Sequence, residues 1–83
     1  MNITVKLGGR LKEYLPNGQN GTTELTTSPD ITLPELLKRL RINENTDELL
    51  IVIDGENVPP SERHGYALYE DQVVNIMPPL KGG

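Results

Sequence analysis

The sequence predicts a two-layer α+β domain, in which one amphipathic helix covers one face of a mixed sheet of four or five strands. Three observations support this prediction. Apolar and polar residues alternate at the start of the chain, leucines recur at helical spacing in the middle, and two further apolar segments lie in the second half. The 83 residues are expected to form a single domain, because a chain of this length encloses only one small core.

The first two strands are predicted from alternation and from β-branched residues. In NITVKL, Ile3, Val5 and Leu7 face one side of a strand, and the residues between them face the other. A Gly-Gly pair ends this strand, and RLKEYLP has the spacing of one or two helical turns, stopped by Pro16. After the turn-rich NGQNG, the threonine-rich TTELTT predicts a second strand, which we expect to pair antiparallel with the first.

TLPELLKRLRI is the clearest helix in the sequence. Thr32 and Glu35 have the spacing of a capping box, and Pro34 falls in the first turn, where proline is tolerated. The stripe that should face the core consists of Leu33, Leu36, Leu37 and Leu40. Three basic residues favour the end of the helix through its dipole, and we interpret them as solvated rather than as a docking patch: Lys38, Arg39 and Arg41.

The second half holds two apolar segments. LLIVID is a near-continuous apolar run ended by Asp-Gly, which predicts a strand buried on both faces. GENVPPSERHGY is punctuated by prolines and glycines and predicts a loop. QVVNIM is the last strand, and it stops before Pro78, which has no N–H for a sheet ladder. We expect the first and last strands to lie in the middle of the sheet, as a right-handed crossover would arrange them.

Composition excludes several classes of function. The formal net charge is −4, whereas nucleic-acid binding needs clustered lysine and arginine, so no nucleic-acid partner is expected. Without cysteine, the single His64 makes no convincing structural zinc site, and no metal is expected. No apolar run approaches the roughly 18 residues of a membrane span, and no signal-peptide pattern opens the chain. No membrane partner is therefore expected, and the expected location is the cytoplasm.

No catalytic residue is predicted. SERHG places Ser61 close to His64 in sequence, but nothing in the pattern aligns them for nucleophilic catalysis, so a surface turn is the better interpretation. The acidic residues lack the spacing of a calcium loop, and the Gly8-Gly9 pair lacks the spacing of a nucleotide-binding loop. The chain is therefore not expected to be an enzyme or to bind a cofactor itself.

The ending IMPPLKGG is the most informative segment for function. Pro78 and Pro79 stiffen the exit from the last strand, so we expect a tail over residues 78–83 that is flexible and projects from the domain. Gly82 and Gly83 have no side chains, so they could enter a channel too narrow for any β-carbon. The terminal carboxylate would become an acyl donor if a partner enzyme adenylated it with ATP. The competing interpretation is an inert, frayed terminus.

Nearly the whole chain resembles the MoaD/ThiS family of ubiquitin-like sulfur carriers. The matching segments are NITVKL, RLKEYLP, TLPELLKRL, LLIVIDGENV and VVNIMPPLKGG. The resemblance implies a β-grasp fold. RLKEYLP is more similar to the MoaD branch than to the shorter ThiS type, which favours the molybdenum or tungsten pterin cofactor as the destination of the sulfur, with thiamine next.

The resemblance also implies a reaction cycle. An E1-like activating enzyme of the MoeB or ThiF type would use ATP to adenylate Gly83, and sulfur transfer would then give a thiocarboxylate. A synthase subunit of the MoaE or ThiG type would accept the threaded tail, which comprises Pro78, Pro79, Leu80, Lys81 and Gly82. In the family the activating enzyme docks on an apolar sheet surface, whose residues the sequence does not identify.

The chain departs from the family pattern at three places. YEDQV stands where the family usually has a Gly-Asp turn, Lys81 stands where small residues are common, and the loop PPSERHGYAL is unusual for the family. Two other functions stay open. A ubiquitin-like modifier would be conjugated through Gly83 to lysine amines, and a non-catalytic interaction domain would have an inert tail.

Overall fold

The computed structural model of the protein describes residues 1–15 and 20–79. Within these ranges the chain forms five strands, one α-helix and three short stretches of 3₁₀ turn. The strands are β1 (Asn2–Leu7), β2 (Thr22–Thr26), β3 (Leu50–Ile53), β4 (Glu56–Asn57) and β5 (Val73–Met77). The helix α1 spans Leu33–Arg39, and the 3₁₀ turns span Gly9–Tyr14, Thr46–Glu48 and Pro60–Glu62.

The strands form one mixed sheet in the order β2-β1-β5-β3-β4. The first and last strands are parallel neighbours, with Val5 opposite Val74 and Leu7 opposite Ile76, while the other pairs are antiparallel. This arrangement confirms the prediction that β1 and β5 lie inside the sheet. It also makes β5, the strand that precedes the tail, the middle strand of the five.

The core is aliphatic and lies between the sheet and α1. The sheet contributes buried side chains from alternate positions of β1, β3 and β5, and α1 contributes its leucine stripe. The buried sheet residues are Ile3, Val5, Leu7, Ile51, Ile53, Val74 and Ile76, and the buried helix residues are Leu33, Leu36, Leu37 and Leu40. Each side chain removed from water in this way contributes about 1.5–3 kcal/mol to folding.

Helix α1 begins as predicted and ends earlier than predicted. The Oγ1 of Thr32 accepts a hydrogen bond from the Glu35 N–H at 3.4 Å, and Glu35 Oε1 accepts one from the Thr32 N–H at 3.0 Å. Both halves of the capping box are therefore present. The helix stops at Arg39 because Arg41, which TLPELLKRLRI places inside it, has a φ of 58° and cannot continue a right-handed helix.

The prediction that β3 is buried on both faces is wrong. Ile51 and Ile53 are buried, whereas Leu50 and Val52 are only half-buried. The reason is that α1 covers one face of the sheet and leaves the other face open. An unbroken apolar run therefore has one buried face and one half-exposed face.

The other sequence segments keep their predicted character, except that Glu56–Asn57, in the predicted loop after β3, form the short strand β4. The short helical segment after β1 consists of the 3₁₀ turns of Gly9–Tyr14, here called the 9–14 segment, and its Leu11 is buried. The loop after β3 contains β4 and one 3₁₀ turn. In YEDQV, Asp71 takes a φ of 64° and its N–H donates to the Asn2 carbonyl at 2.7 Å. This turn is thus made without glycine.

The capping box gives a first prediction. Thr32→Ala removes the hydroxyl that accepts from Glu35, so the free energy of unfolding should fall by about 1 kcal/mol. Thr32→Ser keeps the hydroxyl and should stay close to the wild type. Urea unfolding followed by circular dichroism measures both variants. An equal loss in the two would show that the methyl group, and not the cap, stabilises this site.

Candidate functional site at the base of the tail

Two of the six predicted tail residues lie within the described part of the chain. Pro78 and Pro79 follow β5 directly, and both are half-buried. The remaining predicted residues lie outside the described residues: Leu80, Lys81, Gly82 and Gly83. The candidate site is therefore built from the base of the tail, meaning the end of β5 and the two prolines, and from the surfaces beside it.

The chain leaves the sheet from its middle strand. Ile76 lies opposite Leu7 of β1 on one side and opposite Ile51 of β3 on the other. The N–H of Gly8 donates to the Ile76 carbonyl at 2.9 Å, and Pro78 then has no N–H to extend the ladder. The direction of the exit is consequently set by the end of β1, by β3 and by the segments that follow them.

A groove of about 320 Å³ lies on the β3 side of the base. Its walls combine apolar residues with two carboxylates at the 3₁₀ turn before β3. The groove is lined by Asp47, Glu48, Leu49, Leu50, Asn57, Pro59, Pro60, Arg63 and Pro79, and we call it the tail-base groove. Since Pro79 is part of its lining, the groove adjoins the point where the tail begins.

Arg63 holds two walls of this groove together. Its Nε donates to the Val58 carbonyl at 2.8 Å, Nη1 to the Thr46 carbonyl at 2.6 Å, and Nη2 to the Leu49 carbonyl at 2.8 Å. The residue is 6% exposed. This burial lowers the pKa of Arg63, and the nearby negative charge of Asp47 opposes the shift. The guanidinium stays charged, so the three bonds are charge-assisted.

Sequence reasoning missed Arg63. The segment PPSERHGYAL already differs from the resembled family, and that difference was the available signal. The hydrogen bonds of Arg63 reach 5, 14 and 17 residues along the chain, so no local pattern reports them.

The open face of the sheet presents a mostly apolar patch next to the base of the tail, interrupted by Asn75, which lies opposite Val52. We call it the outer-face patch and define it by Leu50, Val52, Val73 and Met77. Leu50 lies opposite Met77 in the β3–β5 pair, and Met77 is 37% exposed. Sequence reasoning missed these residues as a surface because it placed β3 in the interior.

Ser61 and His64 are not brought together as a reactive pair. Both are exposed, and no hydrogen bond joins them in the described ranges. His64 instead contributes to a second cavity of about 330 Å³ between α1 and the loop, whose floor includes Leu37 and Ile42. Among the residues that the structure describes, no three His, Asp or Glu side chains are close enough to hold a metal ion.

In the same part of the chain, no helix has the length and apolar character needed to cross a bilayer.

The sheet order, the parallel β1–β5 pair and the single covering helix define the chain as a ubiquitin-like protein of the β-grasp fold. Within this class the chain belongs to the ThiS family, whose family model matches residues 5–83. The resemblance to the MoaD/ThiS sulfur carriers is thereby confirmed at the level of the family. No sequence among the curated proteins matches the chain.

Solved structures with the same fold include proteins whose names refer to different roles. The H. volcanii small archaeal modifier protein 1 has a TM-score of 0.72 at 20% identity, covering 95% of this chain and 98% of that one. Urm1 from Trypanosoma brucei has a TM-score of 0.71 at 17% identity, with 99% and 95% covered. The complex of subunits 1 and 2 of molybdopterin-converting factor from Helicobacter pylori 26695 has a TM-score of 0.61 at 20% identity, with 100% of both chains covered. At sequence identities this low, the structural similarity shows a shared fold and nothing further.

Arg63 gives a second prediction. Arg63→Met keeps most of the side-chain volume but removes the guanidinium donor from three carbonyls. Within the described residues, only that of Thr46 also accepts from a backbone N–H, that of Leu49. The free energy of unfolding should therefore fall by about 3 kcal/mol. The matched control is Arg39→Met, because Arg39 is exposed and donates a single hydrogen bond, at 2.7 Å, to the Thr26 carbonyl. The control should lose less than about 1 kcal/mol. Equal losses in urea unfolding would contradict the role assigned to Arg63.

Proposed function

We propose that this protein is a sulfur carrier whose C-terminal carboxylate, on Gly83, is converted to a thiocarboxylate. The supporting observation is a ThiS-family β-grasp domain whose middle strand runs directly into Pro78 and Pro79, with Gly82 and Gly83 after them. The chain acts as a co-substrate, in the cytoplasm, and partner enzymes provide the catalytic groups. An E1-like activating enzyme of the MoeB or ThiF type binds the ATP.

The proposed chemistry has two steps. A carboxylate oxygen of Gly83 attacks the α-phosphorus of ATP, and pyrophosphate leaves, giving an acyl adenylate. Sulfur at the oxidation level of sulfide then attacks the carbonyl carbon. The new C–S bond forms, the C–O bond to the adenylate breaks, and AMP leaves with the bonding electron pair. The product is a terminal thiocarboxylate.

The form of the chain suits these steps. The prolines fix φ at two successive positions, which lowers the ordering cost when the tail enters a partner. Glycines lack the β-carbon, so Gly82 and Gly83 can approach catalytic groups in a narrow channel. Leu80 and Lys81 link the two parts of the tail. A stiff base and a slim end are the combination that threading requires.

We further propose that the sulfur goes to the molybdenum or tungsten pterin cofactor, with thiamine as the next possibility. Two observations favour the pterin. RLKEYLP resembles the MoaD branch, and the fold is similar to that of the H. pylori molybdopterin-converting factor complex. The downstream partner is then a synthase subunit of the MoaE type, or of the ThiG type for thiamine.

A protein modifier is the second candidate function. The similarity in fold to small archaeal modifier protein 1 favours it. In that function a lysine amine, instead of sulfide, attacks the same acyl adenylate and forms an isopeptide bond as AMP leaves. Trypsin cleaves after Lys81, so each modified lysine would retain a Gly-Gly remnant that mass spectrometry detects.

The third prediction tests the thiocarboxylate directly. Incubation of the protein with ATP, a family activating enzyme and sulfide should raise its intact mass by the difference between one sulfur and one oxygen. The change should map to Gly83 and require ATP. A variant lacking Gly83 is the control and should stay unchanged. The sulfur-carrier function would be contradicted if the mass stayed unchanged with an activating enzyme that does modify its own natural carrier protein. Gly-Gly remnants in cells would favour the modifier.

The fourth prediction concerns the surface on which the activating enzyme docks. We propose that it is the outer-face patch, which is mostly apolar and adjoins the base of the tail. Leu50→Gln preserves volume but removes apolar contact, so the KM for this protein in adenylation should rise about ten-fold with kcat unchanged.

Thr22→Gln is the matched control, because Thr22 is exposed on the same sheet face, on β2, and is not part of the patch. Its KM should stay at the wild-type value. Equal effects of the two substitutions would exclude the outer-face patch as the docking surface.

A further inference from the structure

The two glycines that follow β1 lie directly against the base of the tail. A β-carbon built on Gly8 would lie 3.1 Å from Met77 Cγ, and one built on Gly9 would lie 3.1 Å from Pro78 Cγ and 3.5 Å from Pro78 Cδ. Real β-carbons rarely approach other heavy atoms as closely as 3.1 Å. Pro78 therefore occupies space that any other residue at position 9 would fill.

The contacts of Gly8 with Met77 and of Gly9 with Pro78 differ in how easily the neighbouring side chain can move. Met77 has a flexible, partly exposed side chain, so a β-carbon on Gly8 could be accommodated by a change of rotamer. Pro78 has a ring closed onto its own backbone, so apart from a change of ring pucker its Cγ moves only with the main chain. A β-carbon on Gly9 would therefore press on the start of the tail, where the neighbour has to give by a few tenths of an ångström.

The 9–14 segment itself is held in place from behind. Leu11 is fully buried, and Arg10 Nη2 lies 2.5 Å from Glu44 Oε1. The Tyr14 hydroxyl accepts from the Asn43 N–H at 3.3 Å and donates to Glu44 Oε2 at 3.4 Å. Because these contacts connect the segment to the loop after α1, we expect a conflict at Gly9 to shift Pro78 rather than the segment.

We propose that Gly9 is a positioning residue that sets the direction in which the tail leaves the sheet. Its lack of a β-carbon lets the Pro78 ring lie against the 9–14 segment. Since Pro78 and Pro79 both have fixed φ, a rotation at Pro78 passes to the residues after them. This inference rests on the proposed function, because the direction of the tail matters where Gly83 must reach the activating enzyme's ATP.

The test uses asparagine at two left-handed glycines. Gly9 has a φ of +53°, and Gly55 has a φ of +85° with no atom near its built β-carbon. Asparagine tolerates this backbone region better than other residues with a β-carbon, so both variants should fold. Gly9→Asn adds the contact with Pro78, whereas Gly55→Asn adds a side chain in open space. Comparing the two variants separates the effect of the contact with Pro78 from the effect of placing asparagine in a left-handed backbone conformation.

In adenylation, followed as pyrophosphate release, Gly9→Asn should lower kcat about ten-fold or more and change KM less than about two-fold. The outer-face patch is intact in this variant, so docking is kept while the reacting carboxylate is misplaced. Gly55→Asn should match the wild type in both constants. A loss equal in the two variants, or a loss only in KM, would overturn the inference.

A second variant isolates the ring. In a Pro78→Ala background the Cγ is gone, so adding Gly9→Asn should cost little further kcat relative to Pro78→Ala alone. A penalty that persists without the ring would show that Gly9 acts through something other than Pro78.

A measurement on the protein alone, without the activating enzyme, tests the role of Gly9 independently of the proposed function. In two-dimensional ¹⁵N–¹H spectra, Gly9→Asn should shift the amide signals of Leu80 and Lys81, and Gly55→Asn should leave them in place. Unshifted signals would overturn the positioning role, whatever the enzyme assay gives. The two results can also differ. If the signals shift in Gly9→Asn but no activating enzyme adenylates the wild-type protein, the role of Gly9 is supported and the sulfur-carrier function is rejected.

Discussion

The parallel pairing of β1 with β5 is the constraint on which the rest of the structure depends. Parallel neighbours cannot be joined by a tight turn, so the chain between them must cross over one face of the sheet. Helix α1 lies in that crossover, and its leucine stripe meets the alternate residues of both strands, including Val5 and Val74. The core, the single covered face and the position of the last strand all follow from this one pairing.

The same constraint places the two faces of the sheet in different environments. With one helix available, one face is covered and the other stays open. Residues such as Leu50 and Val52 remain half-exposed although they belong to an apolar run. An apolar surface next to the point where the chain leaves the sheet is thus a direct consequence of having one α-helix within residues 1–15 and 20–79. Such a surface is a natural place for a partner that must also receive the tail.

Local patterns predicted most of the fold, and the failures have physical reasons. Alternation, β-branched and apolar runs, and the spacing of Thr32 and Glu35 are properties of neighbouring residues, so they located four of the five described strands and the start of α1 correctly, while β4 was predicted as loop. The end of α1 failed because a left-handed Arg41 has no signature comparable to a glycine. The prediction that β3 is buried on both faces failed because an apolar run indicates a strand but does not show whether one or both faces of the sheet are covered.

The proposed chemistry of the tail rests on residues visible in the sequence, whereas the surroundings of its base do not. The Pro-Pro and Gly-Gly residues of the tail follow from their intrinsic conformational properties, which are visible in sequence. Arg63 and the contact of Gly9 with Pro78 depend on residues far apart in the chain, and they exist only once the sheet has formed. A Gly-Gly pair after a strand is usually interpreted as a break in that strand.

The missing β-carbons of glycine matter in two ways here, in the packing of residues 8–9 and, under the proposed function, at residues 82–83. At residues 8–9 the missing β-carbons let Met77 and Pro78 pack closely, so there glycine makes the base of the tail more defined. Gly82 and Gly83 lie outside the described residues, and in the proposed function their missing β-carbons would let the end of the chain enter a narrow channel. In that proposal a well-defined base would reduce the conformations that a partner must restrain, while an end without side chains would pass where side chains would collide. The order of the elements makes this possible, since the end of β1 and the end of β5 meet only when the two strands run parallel.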